Sequence, residues 1–464
     1  MDSNKANGEE TAHCLILPYP IQGHINPILQ FAKRLSHKSL KITLALTRFM
    51  ILKTKGLSGG SISIGSISDG FDEGGRAQAK THEEYMARFQ QVGQQTLTEL
   101  LQALADSGSP VDCVVYDPFI PWVLDLAKGF GLLAAAFFTQ SCAVDSIYYH
   151  VYSGELKPPL QRGEVVVVPG LPPLRPEEMP SFIYVHGSYP SAFEMVRNQF
   201  QNIDKADWIF VNTFHKLEEE VINYMSRTWR VKAIGPTIPS MYLDKRLQDD
   251  KEYGLNVFNP TTNVCTNWLS QKQPKSVIYI SFGSLAQLSI EQTQELARAL
   301  TTLNKHFLWV VRSSELAKLP KNFSEETSEK GLIVSWCQQL EVLAHHAVGC
   351  FVTHCGWNST LEGLSLGVPM VAMPQWTDQS TNAKFVVDVW RVGVWARADE
   401  TGLVREGEIC RCIEHVMEGD GEEIRGNANK WKEMAREAVD EGGSSDRNIG
   451  EFVSTLMSCS KGVS

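Results

Sequence analysis

The stretch "FVTHCGWNSTLEGLSLGVPM", residues 351–370, joins an apolar strand to a helix through a turn rich in polar side chains. The apolar run ends at His354, and Gly356 permits a close approach of the backbone. Asn358 or Ser359 is expected to cap the helix that follows. A helix N-terminus presents unpaired N–H groups and about half a positive charge. The stretch therefore predicts an α/β unit whose turn holds an anion such as phosphate; a capped helix beside a buried histidine is the alternative.

Short apolar strands alternate with helical segments on both sides of this stretch. Such alternation is typical of parallel sheets that are covered by helices on both faces. The predicted strands are 13–19, 42–47, 113–117, 132–139, 208–214, 276–284, 306–312, 331–336, 349–356 and 368–374. Residues 234–260, with glycine, proline and mixed charge but no sustained period, predict a linker in which Asp249 and Asp250 are solvated. The sequence therefore predicts two α/β domains.

The size and composition of the chain exclude several classes of protein. A chain of 464 residues exceeds what one hydrophobic core supports, and a net charge of −10 argues against a nucleic-acid-binding protein. No window approaches the ~20 apolar residues of a membrane span, and the polar N-terminus lacks the apolar core of a signal peptide. Ten cysteines without a regular framework predict reduced thiols. We expect a cytoplasmic monomer that neither binds nucleic acid nor inserts into a membrane.

Polar and aromatic side chains follow the predicted strands of the C-terminal half. Ligands of open parallel sheets bind outside the carboxyl ends of the strands. Trp336 offers a flat ring on which a base can stack, and Ser284 ends another strand. Asp378 and Gln379 follow a further strand, and Glu362 lies one turn into the helix after the anion-binding turn. A base platform, a phosphate turn and hydroxyl-binding groups together predict a nucleotide-sugar site.

Residues 336–379, "WCQQLEVLAHHAVGCFVTHCGWNSTLEGLSLGVPMVAMPQWTDQ", resemble the 44-residue signature box of plant secondary-metabolite UDP-glycosyltransferases. The resemblance extends over nearly the whole chain, including "PYPIQGHINP" at 18–27. It implies the GT-B fold, in which two Rossmann-like domains face each other across a cleft. The implied division is an acceptor-binding domain at 1–240, a linker at 241–258, a UDP-sugar-binding domain at 259–445 and a C-terminal helix at 446–464 that packs back on the first domain.

The same resemblance assigns roles to the residues of the donor site. Trp336 matches the uracil-stacking position, and Cys337 matches the position whose backbone pairs with the uracil edge. The other implied donor contacts are Gln339 and Glu362 at the ribose, His354, Asn358, Ser359 and Ser284 at the diphosphate, and Trp357, Asp378, Gln379 and Thr139 at the sugar. Gln338 stands where the family usually has proline. A glutamine at position 379 usually goes with glucose as the donor sugar.

Two further polar residues, His24 and Asp117, each follow a predicted strand of the N-terminal half. If these strands are neighbours in the sheet, the two side chains meet. A histidine after a strand is usually structural, but a position on the cleft side with a carboxylate available favours a catalytic pair. In the family these positions match the base and its orienting aspartate. Neutral His24 would take the proton of the acceptor hydroxyl, and Asp117 would fix the tautomer of the imidazole.

Aromatic residues near the same edge of the N-terminal sheet predict an apolar acceptor pocket. The candidates are Phe119, Trp122, Phe138 and Tyr148. About half of the aromatic residues in this region are expected to belong to the core instead. Residues 154–200, which are rich in proline, predict loops and short helices around the acceptor.

These features predict an inverting UDP-glucose-dependent O-glucosyltransferase. It would add β-glucose to hydroxyl, or carboxyl, groups of small hydrophobic aglycones such as steroids, triterpenes, flavonoids or phenolic acids. UDP-glucose would be a co-substrate, with no permanently bound cofactor; the chain has no D-x-D motif, so no metal is expected. A dinucleotide-dependent dehydrogenase is an alternative, but no G-x-G-x-x-G follows a strand. A non-catalytic nucleotide-sugar sensor is a third possibility, against which the His24–Asp117 pair argues.

Overall fold

A sheet of seven parallel strands forms the N-terminal half of the protein. The computed structural model describes residues 11–54, 61–161, 163–253 and 262–460. The strands of this sheet are β1 (His13–Leu17), β2 (Lys41–Thr47), β3 (Ile62–Ile67), β4 (Cys113–Tyr116), β5 (Leu133–Phe138), β6 (Trp208–Val211) and β7 (Val231–Ala233). Their order is β3-β2-β1-β4-β5-β6-β7. The order reverses between β1 and β4, and such a switch point opens a crevice at the carboxyl ends of the strands.

A second sheet, of six parallel strands, forms the C-terminal half. Its strands are β8 (Val277–Ser281), β9 (His306–Val310), β10 (Gly331–Val334), β11 (Val348–Thr353), β12 (Met370–Ala372) and β13 (Gly393–Trp395). Their order is β10-β9-β8-β11-β12-β13, so the switch point lies between β8 and β11. The two-domain α/β prediction is confirmed, and both domains have Rossmann-like topology.

Helices connect the parallel strands and cover the two sheets. In the N-terminal half they are α1 (Gln22–His37), α2 (Arg48–Lys53), α3 (His82–Asp106), α4 (Trp122–Gly129), α5 (Cys142–Tyr152), α6 (Ser181–Tyr184), α7 (Pro190–Asn198) and α8 (Glu219–Met225). In the C-terminal half they are α9 (Thr262–Leu269), α10 (Ile290–Leu303), α11 (Phe323–Glu326), α12 (Gln339–Ala344), α13 (Trp357–Leu366), α14 (Gln379–Lys384), α15 (Glu406–Met417), α16 (Glu422–Val439) and α17 (Ser444–Ser460). None of the helices in the described ranges is long and apolar enough to span a membrane.

Both faces of the N-terminal sheet are buried, as β1 illustrates. Leu15 and Leu17 pack into one apolar cluster, whereas Cys14 and Ile16 pack into another on the opposite face. Alternate residues of a strand point to opposite faces, so every residue of β1 needs an apolar side chain or a satisfied polar one. This explains why the central strands are continuously apolar in the sequence.

The C-terminal helix α17 packs on the N-terminal sheet, although it follows α16 of the other half. The ring of Phe452 lies edge-on against Trp208 and Phe210, with centroid distances of 5.7 and 4.9 Å. The hydroxyl of Ser445 donates to the carbonyl of Gly235 at 2.6 Å. The helix begins at Ser444, so the expected division at residue 446 falls inside it.

We expect Phe452→Ala to reduce the free energy of unfolding by about 3–5 kcal/mol, because it removes a fully buried ring from a packed core. Denaturant unfolding followed by tryptophan fluorescence measures this change. Ser454→Ala, at an exposed position of the same helix, is the matched control and should change stability by less than about 0.5 kcal/mol. Equal stability of the two variants would show that α17 contributes nothing to the N-terminal core.

The described part of the predicted linker is bound to α1 rather than free in solvent. Asp244 forms an ion pair with Arg34 at 2.9 Å, and Asp250 forms one with Lys33 at 2.6 Å. Asp249 is exposed as expected, but Asp250 is buried, so the expectation of a solvated pair is wrong for Asp250. Its carboxylate also accepts a backbone hydrogen bond, which compensates for its burial. Residues 254–258 of the predicted linker lie outside the described residues.

Candidate active site

The first group of functional side chains lies at the switch point of the N-terminal sheet. There β1 and β4 are neighbours, as the expected pairing required. His24 lies in the first turn of α1, and its Nδ1 is 2.6 Å from Oδ2 of Asp117. The hydroxyl of Thr139, which follows β5, is 3.2 Å from the same nitrogen. Because Asp117 engages Nδ1, Nε2 of His24 is the nitrogen that can accept a proton.

Packing and hydrogen bonds fix the orientation of this pair. The imidazole of His24 contacts the rings of Tyr19 and Phe119, with centroid distances of 5.6 and 4.8 Å. Oδ1 of Asp117 accepts the backbone N–H of Phe119 at 3.0 Å, and the side chain of Asp117 is only 1% exposed. Burial raises the pKa of Tyr19 to about 12, so its hydroxyl stays neutral beside the pair. The arrangement is that of a base held by an orienting carboxylate.

The second group lies at the switch point of the C-terminal sheet, where the stretch 351–370 forms a strand, a turn and a helix. The helix α13 begins at Trp357, and its N-cap is Gly356 rather than Asn358 or Ser359. The N-cap residue itself offers no capping side chain, and the carboxylate of Asp378 accepts the backbone N–H of Trp357, so the N–H groups of Asn358 and Ser359 are those that can serve a ligand.

Two glycines make room for the imidazole of His354 in this turn. A Cβ atom at Gly283 would lie 2.8 Å from Nε2 of His354, and one at Gly356 would lie 2.6 Å from it. Gly283 also has a φ of 71°, which favours glycine. Burial lowers the pKa of His354 to about 4. At neutral pH the ring is therefore uncharged, and it can serve a phosphate as a hydrogen-bond donor but not as a cation.

One hydrogen bond joins the two switch points directly. Pro27 lies inside α1 and has no N–H to donate to the carbonyl of Gly23, four residues earlier. The carbonyl oxygen of Gly23 instead accepts Nδ2 of Asn358 at 2.7 Å. The first turn of α13 is thus bonded to the residue that precedes His24.

A cavity of about 570 Å³, called the first cavity below, collects the residues expected to hold the base and the ribose. It is lined by Trp336, Cys337, Gln339 and Glu362. Nε2 of Gln339 donates to Oε2 of Glu362 at 2.6 Å and to Oγ of Ser359 at 2.9 Å. Burial raises the pKa of Glu362. This wall combines a flat ring with a buried carboxyl group, a suitable pairing for a nucleoside.

A further cavity, of about 530 Å³ and called the second cavity, is lined by His24 and by the residues expected at the sugar. Trp357, Asp378 and Gln379 line it together with His24 and Thr139. The two cavities meet at shared residues, which are Gln22, Gly23, Gly283, Ser284, Asn358 and Ser359. A ligand that extends from one cavity to the other must therefore pass the N-terminus of α13.

The residues expected at the sugar also form hydrogen bonds that stabilise the loop around Asp378. The carboxylate of Asp378 accepts Nδ2 of Asn382 at 2.6 Å and the hydroxyl of Thr377 at 2.5 Å. Oε1 of Gln379 accepts two backbone N–H groups of the loop before it. The indole N–H of Trp357 donates to the carbonyl of Asn212 in the N-terminal half at 2.8 Å. That N–H therefore bridges the two halves.

Only one of the four aromatic residues predicted for the acceptor pocket lines the second cavity. That residue is Phe119. Trp122 packs on Phe89 of α3 with a centroid distance of 5.7 Å, and Phe138 stacks on Phe200 at 5.8 Å. These two residues and Tyr148 are buried in the apolar core and do not line the cavity. The apolar wall comes instead from Tyr19, Phe182, Tyr189, Met195, Val196 and Trp376.

Sequence reasoning missed two residues that support the site. The guanidinium group of Arg312 donates to the carbonyls of Ser284 and Ala286, each at 2.5 Å, and so fixes the loop after β8. The hydroxyl of Tyr279 donates to Oε1 of Gln339 at 3.1 Å. Arg312 follows β9, so the strand-end rule applied to the other strands would have identified it. Tyr279 lies within the apolar run of β8 and has no such signal.

All ten cysteines are free thiols, and only Cys459 is exposed. Across the described ranges, no three His, Cys, Asp or Glu side chains come together as a metal site would require.

The chain matches a known family and solved structures over most of its length. The family described as UDP-glucoronosyl and UDP-glucosyl transferase matches residues 254–420. UDP-glycosyltransferase 74E2 of Arabidopsis thaliana is 50% identical over 449 residues, which cover 96% of this chain and 99% of that protein. Mogroside I-E synthase of Siraitia grosvenorii is 48% identical over 448 residues, or 96% and 98% of the two chains.

The fold agrees with a crystal structure of Os79 from O. sativa in complex with UDP. The TM-score is 0.90 at 41% identity, and the match covers 96% of this chain and 100% of that one. A second structure of Os79, with U2F and a trichothecene, has a TM-score of 0.87 at 40% identity and the same coverage of both chains. The chain therefore belongs to the plant family 1 UDP-glycosyltransferases, and it is a GT-B enzyme that uses a UDP-sugar donor.

Proposed function

We propose that the enzyme transfers glucose from UDP-glucose to a hydroxyl group of a small hydrophobic aglycone, with inversion at the anomeric carbon. The observation that carries this proposal is the continuity of the two cavities past the N-terminus of α13. The proposal is supported because His24 lines the second cavity, whereas Trp336 and Glu362, which suit a nucleoside, line the first.

The reaction needs a proton acceptor and a place for the leaving diphosphate. Nε2 of His24 takes the proton of the acceptor hydroxyl during attack, and Asp117 stabilises the imidazolium that forms. The oxygen attacks the anomeric carbon from the face opposite UDP, so an α-linked donor gives a β-glucoside. The negative charge that develops on UDP is stabilised by the first-turn N–H groups of α13, His354 and Ser359. We expect this transfer to proceed without a metal, and full activity in EDTA would agree with that.

Glucose is proposed as the sugar because Asp378 and Gln379 line the second cavity beside the diphosphate position. A carboxylate and an amide can together hold several hexose hydroxyls, and a site of this kind penalises a sugar that leaves them unpaired. If UDP-galactose proves a better donor than UDP-glucose for the unmodified enzyme, the glucose assignment fails.

The apolar wall of the second cavity supports a hydrophobic acceptor. Aromatic and aliphatic side chains dominate it, and pockets of this composition bind small apolar ligands. Relatives are named for mogroside, crocetin and flavonol glucosylation, which are chemically diverse substrates. We propose that steroids, triterpenes, flavonoids and phenolic acids are the classes to test.

A panel of such aglycones incubated with UDP-glucose tests the proposal. Mass spectrometry should show products heavier by one hexose residue, and the proton coupling at the anomeric carbon should report a β-linkage. Retention of the α-configuration would contradict the single displacement. The absence of any glucoside, with UDP binding intact, would favour the nucleotide-sugar sensor.

We also propose that the enzyme acts in the cytoplasm as a monomer. Ten free thiols are compatible with a reducing compartment. Size-exclusion chromatography with light scattering would test the monomer: a mass near 51.8 kDa is expected, and twice that value would contradict it.

Some acceptors have a carboxylate group at a distance from the reacting hydroxyl. We expect the binding of these acceptors to depend on Arg76. This residue lines the second cavity, and no ion pair to it occurs within the described ranges. Arg76→Gln should raise the KM of such an acceptor by about 2–5-fold at low salt, because an exposed charge pair contributes at most ~1 kcal/mol. Neutral acceptors should be unaffected. Arg88→Gln, on the neighbouring helix α3, is the matched control, and an equal effect in both variants would contradict a direct contact.

A further inference from the structure

The end of the described linker, residues 250–253, lies between α1 and the first cavity. On the N-terminal side, Lys33 binds the carboxylate of Asp250 at 2.6 Å and the carbonyl of Glu252 at 2.8 Å. Nε2 of Gln30 donates to the same carbonyl at 3.1 Å. On the C-terminal side, Glu252 and Tyr253 line the first cavity. This segment therefore connects α1, the helix that carries His24, with the first cavity, where the nucleotide is expected to bind.

Tyr253 is hydrogen-bonded to Glu362, whose carboxyl group the nucleotide is expected to contact. Its hydroxyl donates to Oε1 of Glu362 at 2.6 Å, while Gln339 donates to Oε2 at 2.6 Å. Burial raises the pKa of Tyr253, so the hydroxyl remains a donor at neutral pH. Both oxygens of Glu362 thus have a protein partner in this arrangement.

Gln338 holds this segment in place. Its Nε2 donates to Oε1 of Glu252 at 2.9 Å. This bond ties the linker to the loop beside the first cavity.

We propose that Tyr253 competes with the ribose hydroxyls of the donor for Glu362, and that the Gln338–Glu252 bond strengthens this competition. The inference rests on the proposed role of Glu362 as the ribose contact. A ribose hydroxyl that donates to Oε1 must either share that oxygen with the tyrosine hydroxyl, which weakens both bonds, or replace it. The exchange of one hydrogen bond for another contributes little net binding, so Tyr253 lowers the affinity for ribose-containing ligands.

Tyr253→Phe tests the competition, with UDP and inorganic pyrophosphate as the two probes in isothermal titration calorimetry. We expect the Kd for UDP to fall by about 3–10-fold, because ribose no longer displaces a bound hydroxyl. The Kd for pyrophosphate, which has no ribose, should not change. Tyr152→Phe, at an exposed tyrosine of α5, is the matched control and should leave both constants unchanged.

Gln338→Ala provides an independent variant that keeps the tyrosine. It should also lower the Kd for UDP, but by a smaller factor than Tyr253→Phe does, since Tyr253 keeps its own bond to Glu362. Unchanged or weaker UDP binding by Tyr253→Phe would overturn the inference. A different result would show that the donor-site assignment itself is wrong. The unmodified enzyme would then bind UDP no more tightly than pyrophosphate.

Discussion

His24→Ala is expected to lower kcat by about 10²–10⁴-fold, the usual contribution of a positioned general base. The Kd for UDP should not change, because Trp336, Gln339 and Glu362 lie in the first cavity and His24 does not line it. Single-turnover kinetics combined with UDP titration separates the two quantities. Weakened UDP binding equal to the loss of turnover would mean that His24 acts on the donor instead.

The loss of activity in His24→Ala should depend on the acidity of the acceptor. A phenol ionises near pH 10, as tyrosine does, so raising the pH should partly restore transfer to phenols. An aliphatic alcohol of the steroid type is far less acidic and should not be rescued. Near-normal turnover of His24→Ala with an aliphatic alcohol at neutral pH would show that His24 is not the base.

Asp117→Asn is the companion variant to His24→Ala. It keeps an oxygen that can accept the N–H of Phe119, so the loop after β4 should retain its shape. It removes the charge that stabilises the imidazolium, and it turns an amide N–H towards Nδ1 of His24, which favours the tautomer protonated at Nε2; kcat should therefore fall about as far as in His24→Ala. A larger loss than in His24→Ala would point to a separate role for the carboxylate.

Asp378→Ala is the second large effect that we expect, with a loss of about 2–4 kcal/mol of transition-state binding in kcat/KM for UDP-glucose. The carboxylate lies at the sugar end of the second cavity, and a lost charged hydrogen bond is costly in so buried a site. Binding of UDP, which has no hexose, should be unaffected.

Asp378→Asn separates the sugar contact from the local structure. Asn382 and Thr377 donate to the carboxylate, so alanine also removes two bonds that hold the loop. Asparagine keeps the shape but not the charge, and it should give an intermediate loss. If Asp378→Ala weakens UDP and UDP-glucose equally, the residue supports the fold and does not contact the sugar.

The central strands of both sheets were predictable, whereas three edge strands were not. β3, β7 and β13 each lie at the edge of a sheet. β3, "ISIGSI", includes two exposed serines, and the other two have three residues each, so none forms a continuous apolar run. Burial on both faces generates the sequence signal of a central parallel strand, and these three edge strands lack it; the fourth edge strand, β10, is an apolar run and was predicted.

Residues that follow central strands were predictable for the same reason. Topology brings the carboxyl ends of β1 and β4 together, so His24 and Asp117 meet whatever the details of the loops. The helix α1 begins at Gln22, five residues before Pro27, which places His24 in its first turn. The helix tolerates Pro27 in its interior because Asn358 donates to the freed carbonyl of Gly23.

The acceptor wall was the least predictable part of the site. Trp122, Phe138 and Tyr148 have the same aromatic character as Phe119, and composition cannot tell which of them faces the cleft. Much of the wall comes from α6 and α7, two short helices in a proline-rich region without a clear period. Their position depends on tertiary packing, which local sequence patterns do not encode.

The proline inside α1 has a consequence for chemical selectivity. The carbonyl of Gly23 finds its partner in Asn358 of the other domain, so this bond holds the first turn of α1, which carries His24, only while the domains are docked. If His24 is the base proposed above, separation of the domains would break that bond and move the base away from the diphosphate site. Water that reached a sugar nucleotide in that state would find no base beside it. The missing N–H of one proline would in this way make base catalysis conditional on domain docking.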